Sequence, residues 1–188
     1  MEFIDKIRDN EDYYDFLDSD LTITAKKYFL KYYICKDKYF FEPYILLSQI
    51  YFNNEDEIDQ GFQILRIAYK RVMKDIFPNK KLPNSMNWYE INNRHIFRLL
   101  YNYANALWFI GLKNKADNLF KHLIKMHPDD NIGARYSALG IHEGFGETYS
   151  MWNELNDVEK WFQSILPKYE KKKGFAWVKK YKRIEQCK

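Results

Sequence analysis

The residue types able to do chemistry are few in this chain, and their spacing suits none of the usual sites. His95, His122, His127 and His142 are its only histidines. His122 and His127 stand five residues apart, which puts them on different faces of a helix, whereas a zinc-binding helical pair needs the four-residue step. All four are expected at the surface or in turns. The acidic run Asp9, Glu11, Asp12, Asp15, Asp18 and Asp20 holds enough carboxylates for calcium. It lacks the glycine and the twelve-residue frame that wrap the ion, so it reads as the solvated face of a helix. No dinucleotide fingerprint, phosphate loop or G-x-S-x-G elbow occurs, and "GFGE" at 144–147 is too short to count. No nucleophile has a base beside it. These residues predict a protein that is not an enzyme and uses neither metal nor cofactor.

One other stretch carries chemistry. "KYEKKKGFAWVKKYKRIEQCK", residues 168–188, mixes nine bases and two acids with Tyr169, Phe175, Trp177 and Tyr181. Lysines along phosphates with aromatic rings stacked on bases is how single strands are held. The competing reading is structural: Phe175, Val178 and Tyr181 step by three, the buried stripe of a final capping helix, with Lys179, Lys180, Lys182 and Arg183 on its wet side. The two readings are compatible.

The whole sequence sets the frame for these residues. Its 188 residues suit one domain or a short repeat array, and 46% hydrophobic with 19% aromatic content excludes wholesale disorder. Sixteen Tyr and fourteen Phe beside seven Gly and five Pro favour long helices over turn-rich sheets. Cys35 and Cys187 lie far apart without a partner motif and read as reduced thiols. The opening residues have no basic start and no apolar run, and no stretch approaches eighteen uncharged apolar residues. A cytoplasmic protein that does not enter membranes is expected. The net charge of +4 conceals an asymmetry: residues 1–60 carry 14 acids against 7 bases, the reverse of the C-terminal balance. The two ends should attract opposite partners, or each other.

The clearest elements surround "NYANALWFIGLKNKADNLFKHLIKMHPDD", residues 102–130. Apolar residues at 97, 100, 103, 104, 107, 108 and 110 follow the three-four spacing of an amphipathic helix. Gly111 stands where that helix should stop, because glycine enters the left-handed region without steric penalty. A second helix runs to about Met126 with Ala116, Leu119, Phe120, Leu123 and Ile124 on one face. His127-Pro128 ends it, since the residue before proline disfavours helical geometry. Asp129, Asp130 and Asn131 can cap a third helix. So short a turn makes the two helices antiparallel, and Ala104 and Ala116 allow close approach at the crossing.

This spacing resembles the tetratricopeptide repeat, a 34-residue helix pair. With the unit begun at Phe97, Ala104, Gly111, Ala116, Phe120 and Pro128 fall on the family's small, turn, small, aromatic and proline positions. Leu100 and Leu107 stand where the family has other large residues. Upstream, "FEPYILLSQIYFNNEDEIDQGFQILRIAYKRV" fits with one residue inserted, placing Tyr44, Leu47, Ser48 and Tyr51 on a first helix and Gly61, Leu65 and Ala68 on a second. Ala25, Phe29 and Tyr32 offer another second helix, poorly partnered by the segment near Asp9 to Leu17. Downstream, Ile132 to His142 with Gly144 fits a first helix and Val158 to Leu166 a second, with "FGETYSMWNELN" too irregular to place.

The fold expected is therefore all-α: antiparallel helix pairs stacked as a short right-handed solenoid. It comprises degenerate helices over about 1–40, a repeat over about 41–77, a loop at 78–93, a repeat over about 94–130, a degenerate repeat over about 131–167 and a basic helix over about 168–188. The loop holds two prolines and five asparagines, a length and composition often functional in compact arrays. The resemblance further implies a protein-interaction scaffold whose first helices line a groove for a peptide or protein partner. The partner-facing positions map to Arg98, Tyr101, Asn102, Asn105, Trp108 and Phe109, to Glu42, Ile45, Leu46 and Gln49 upstream, and to Ile132, Arg135 and Tyr136 downstream. Asn105 could bond a peptide backbone in both directions, and Trp108 would serve as an anchor. The Lys and Asn set that some relatives use to clamp a C-terminal carboxylate is absent. The alternative is an adaptor for nucleic acid or another anionic surface, using the basic tail.

Overall fold

The computed structural model describes residues 11–17, 20–179 and 181, and the regular elements among them are helices. They fall into two compact units that divide within one long helix: Met1–Pro83 with Asn87–Tyr103, and Asn84–Met86 with Ala104–Lys188.

The first unit contains α1 (Glu11–Leu17), α2 (Ile23–Lys36), α3 (Glu42–Phe52), α4 (Ile58–Arg71) and the start of α5 (Ile91–Phe109). Thr22 opens α2 by accepting the Ala25 N–H at 3.3 Å, the usual task of a hydroxyl at an N-cap. Pro43 sits in the first turn of α3, where its missing N–H costs nothing. α3 and α4 pack as a pair, and Tyr44, Leu47, Ser48, Tyr51, Gly61, Leu65 and Ala68 are all buried. Gly61 makes the crossing close, for a Cβ there would lie 3.1 Å from the Ser48 carbonyl oxygen. A one-turn 3-10 segment, Glu55–Glu57, lengthens the α3–α4 connection. A π turn, Val72–Ile76, extends α4. The long loop is tied down within this unit at its end: Trp88 packs edge-on against Phe97 at 5.7 Å, and the Asn93 amide donates to the Asn87 carbonyl at 3.0 Å.

Two expectations fail in the first unit. On α2, Phe29 and Tyr32 are 44% and 57% exposed, while Leu30 and Tyr33 are buried. The helix has aromatic or aliphatic residues on most of its circumference, so its inward face is chosen by its neighbours: Tyr13 packs edge-on against Tyr33 and Phe40 at 5.1 and 5.0 Å. His95, expected at the surface, is 6% exposed. Its ring stacks on Phe41 at 5.2 Å, and its Nδ1 accepts the Phe41 N–H at 3.2 Å. The acceptor role leaves that nitrogen unprotonated.

The second unit takes the end of α5 and adds α6 (Lys113–Met126), α7 (Ala134–Glu143), α8 (Thr148–Glu154), α9 (Val158–Tyr169) and a last helical turn from residue 176. Gly111, at φ 82°, closes α5 in a Schellman motif: its N–H reaches the Trp108 carbonyl at 2.9 Å and the Leu112 N–H reaches that of Leu107 at 2.8 Å. Ala104, Ala116 and Phe120 are fully buried. His127 leaves helical geometry before Pro128 and is 9% exposed. The loop also anchors here, through buried Met86 and the hydrogen bond from its N–H to the Met126 carbonyl. The segment too irregular to place contains α8, opened by a reciprocal capping box in which the Glu147 carboxylate accepts from the Ser150 N–H and the Ser150 hydroxyl accepts from the Glu147 N–H. Phe175, Val178 and Tyr181 are buried at 2, 0 and 6% with Leu139, Phe162, Leu166 and Tyr169. Lys180, Lys182, Arg183 and Cys187 lie outside the described residues, as does Asp9. No helix among the described residues is long and apolar enough to cross a membrane.

Candidate functional site

The sequence-nominated residues of the first unit come together. Arg98, on α5, donates from Nε to the Glu42 carboxylate of α3 at 2.6 Å, and its Nη2 pairs with the same oxygen. One turn along, the Asn102 amide donates to the Arg98 carbonyl at 2.8 Å and its oxygen receives the Gln49 amide at 3.5 Å. Glu42, Gln49, Arg98 and Asn102 thus form one polar strip on two helices, its cross-helix pairs lying 53 and 56 positions apart in the chain. Gln49 is exposed and Asn102 half-buried; the Arg98 side chain is 39% exposed. Tyr101 and Leu46 are half-buried, but Ile45 is 5% exposed and belongs to the core.

In the second unit the nominated residues already have intrachain partners. Thr148, the first residue of α8, donates to the Asn105 side-chain oxygen and lies 3.3 Å from the Ser137 hydroxyl. Asn105 is thus engaged from α8 through its amide oxygen. Trp108 is fully buried, edge-on to Phe120 at 6.3 Å, so it packs the interior and offers no surface anchor. Phe109 beside it is 48% exposed.

Arg135 belongs to a group of perturbed charges at the start of α7. Asp130, 2% exposed and at φ 50°, accepts the N–H groups of Ala134 and Arg135 at 2.9 and 2.8 Å, caging the N-terminus of α7. Burial pushes its carboxyl up from 3.8 to about 6 against the pull of those hydrogen bonds and of Arg135. The Arg135 guanidinium lies over the rings of Tyr136, Tyr181 and Phe162 at 4.3, 5.0 and 5.5 Å and donates to the Tyr136 hydroxyl at 2.6 Å. That hydroxyl donates onward to Glu159; burial and this acceptor raise it to about 12. A cavity of about 340 Å³ opens beside them, lined by Ile132, Gly133 and the half-exposed Trp152 among others. Because both Asp130 oxygens serve the helix end, the group clamps α7 to its surroundings. Arg135 works inside that clamp.

No set of three or more His, Cys, Asp or Glu among the described residues is placed to hold a metal ion. His142 Nε2 lies 3.2 Å from Asp117 Oδ1, and Lys121 pairs with the other oxygen at 2.7 Å. Lys121 also sits over the Phe175 ring at 4.1 Å. These contacts fasten the final helical turn onto α6 and α7. Sequence reasoning missed the His142–Asp117–Lys121 cluster, because its pairing depends on helices brought together by the fold and has no local signature; the capping of α7 by Asp130, four and five residues before the amides it accepts, was among the expectations.

No family model, no curated protein and no solved structure matches this chain.

Proposed function

We propose that the protein is a non-enzymatic interaction scaffold, built of tetratricopeptide-like helix pairs stacked as a short right-handed solenoid, which works in the cytoplasm and captures a protein or peptide partner on its first helices. The supporting observation is the Glu42–Arg98–Asn102–Gln49 strip. The packing of α3 on α4 already accounts for the residues on their shared face, and the strip lies apart from them. It supplies donors and acceptors of both signs in partly exposed positions, the equipment for holding an extended backbone and selecting among side chains.

The strip rather than Asn105, Trp108 and Arg135 carries this reading, since Trp108 is fully buried, the Arg135 side chain is only 15% exposed and Asn105 is tied to α8, whereas Gln49 is exposed and the Arg98 side chain is 39% exposed. The second reading, an adaptor for anionic surfaces, rests on the exposed lysines of the basic end. With Phe175 and Tyr181 buried, those two rings cannot act as stacking platforms.

The test is affinity purification from the native cell with wild type and with Gln49→Ala/Arg98→Gln, alongside thermal melts of both. The reading expects a folded double variant that loses a partner the wild type retains. Undiminished capture by a folded variant would move the binding surface off α3 and α5.

A further inference from the structure

A second concave feature lies wholly within the second unit. Ile124, Lys125 and Pro128, at the end of α6, and Ala176, Trp177 and Tyr181, of the final helical turn, line a cavity of about 240 Å³. That is smaller than the range of about 300–1,000 Å³ typical of small-molecule pockets and suits a single large side chain. Its lining is largely aliphatic and aromatic, and no carboxylate of the described residues contributes to it. Lys125 brings a positive charge; its ammonium donates to the Asn84 side chain at 2.8 Å and has two further hydrogens to give. The Trp177 indole N–H, buried, has no acceptor among the described residues.

Among the described residues, Lys179, two positions from Trp177, is exposed, as are Lys171, Lys172 and Lys173 just before the final helical turn. Glu143, a nearby acid on α7, is neutralised by Lys168 at 2.6 Å and by the Tyr169 hydroxyl. An apolar recess in a cationic surface is complementary to an anionic ligand with an apolar anchor. Nucleic acid fits less well, for Phe175 and Tyr181 are buried in the core, and of the aromatic rings at the recess the half-buried Trp177 alone remains, where a strand needs successive open ring faces.

We propose that this recess docks a short acidic segment of a partner protein, which inserts one Leu or Phe side chain against Ile124, Pro128 and Trp177 while its neighbouring Asp or Glu side chains meet Lys125 and the exposed lysines. The inference rests on the scaffold reading and specifies the chemistry of a partner; the surface it uses is separate from the α3–α5 strip. Burial of the apolar side chain supplies affinity, and the lysines supply orientation and rapid encounter.

The experiment uses the full chain and a fluorescein-labelled synthetic peptide of Asp and Glu with one central Phe, followed by fluorescence anisotropy at low and moderate salt. The account expects saturable binding that weakens with salt. Binding should fall about tenfold or more when the central Phe becomes Ser, the scale of losing one buried apolar anchor. Lys125→Glu should weaken binding similarly, and Ala176→Phe, which fills the recess from an exposed position, should abolish it without lowering the melting temperature. Three results would overturn the proposal: equal binding of the Phe and Ser peptides, a single-stranded oligonucleotide binding more tightly than the peptide and displacing it, or sedimentation showing that the recess is occupied by a second copy of the chain. If the peptide fails while the Gln49/Arg98 pair still governs partner capture, this inference falls and the scaffold reading stands. If the peptide binds at the recess while that pair is irrelevant to capture, the strip falls and the recess remains.

Discussion

Gly140 of α7 lies directly beneath Met151 of α8. A Cβ at position 140 would come within 2.6 Å of the Met151 sulfur and 3.0 Å of the Trp108 ring, and both of those side chains are fully buried. The absence of a side chain at one position therefore admits α8 at another. Thr148 then reaches Asn105 and Ser137 from the same helix.

Gly140→Ala tests this packing. Helix propensity alone would favour alanine by about 0.5–1 kcal/mol, but overpacking a close contact costs about 1–3 kcal/mol. Met151 can swing away more readily than the indole ring, so a net loss of about 1–2 kcal/mol in chemical denaturation is expected. Met151→Ala alone should cost about 2–5 kcal/mol through the cavity it leaves. The double variant should lose less than the sum, because the second change removes the atom that the first one meets. Strict additivity would mean that the two residues do not share the contact.

Asp130 predicts a pH dependence of definite sign. Its carboxyl titrates at about 6 in the folded chain against 3.8 for the ordinary group, so between those values the folded state holds a proton that the unfolded state has released. Unfolding free energy should fall as pH rises through that window and level off above it. At 1.36 kcal/mol per unit, the loss is up to about 3 kcal/mol. Glu143 and Asp157, whose carboxyls are held below their usual range, work in the opposite direction, so the informative quantity is the difference between wild type and Asp130→Asn. That difference, from denaturation at pH 4 and pH 7, should change in favour of Asp130→Asn as pH rises. A difference independent of pH would show that Asp130 ionises normally.

The basic C-terminal end should behave as part of the core. Phe175→Ala is expected to cost about 3–5 kcal/mol, the scale for truncating a fully buried aromatic ring, and deleting residues 175–188 should lower the melting temperature. An unchanged melting curve on deletion would contradict the burial of Phe175, Val178 and Tyr181.

His95 offers a separate check in the first unit. His95→Phe keeps the ring beside Phe41 but removes the acceptor of the Phe41 N–H, leaving a buried donor unpaired at a cost of about 1–3 kcal/mol. His95→Asn, which can accept again but loses ring packing, should also destabilise. A neutral His95→Phe, read by urea denaturation, would mean that the Phe41 N–H finds another acceptor.

Local rules reached the α5–α6 pair because every signal there is short-range. Gly111 must take a left-handed φ, proline must end α6, and Ala104 and Ala116 must be small wherever two helices joined by so short a turn cross. The inward face of α2 was not legible in this way, since its apolar residues surround the helix and Tyr13 and Phe40 make the choice. α8 escaped notice because its capping box runs in reverse, with Glu147 at the cap and Ser150 three residues on, where the familiar order places the hydroxyl first. Among the nominated site residues, Arg98 and Asn102 could be placed from helical spacing. The use of Asn105 by Thr148, 43 residues later, and the interior position of Trp108 depend on where α8 docks.

The central claim is that the polar strip of α3 and α5 is a partner-binding surface. It is tested most directly by placing a photo-reactive amino acid at position 49, and a control at exposed position 70 on α4, then irradiating the protein in its native cell. The account predicts a discrete cross-linked partner from position 49 that is absent from position 70 and diminished by Arg98→Gln in a folded chain. Equal cross-linking from both positions, or none from 49 while position 70 captures a partner, would contradict it.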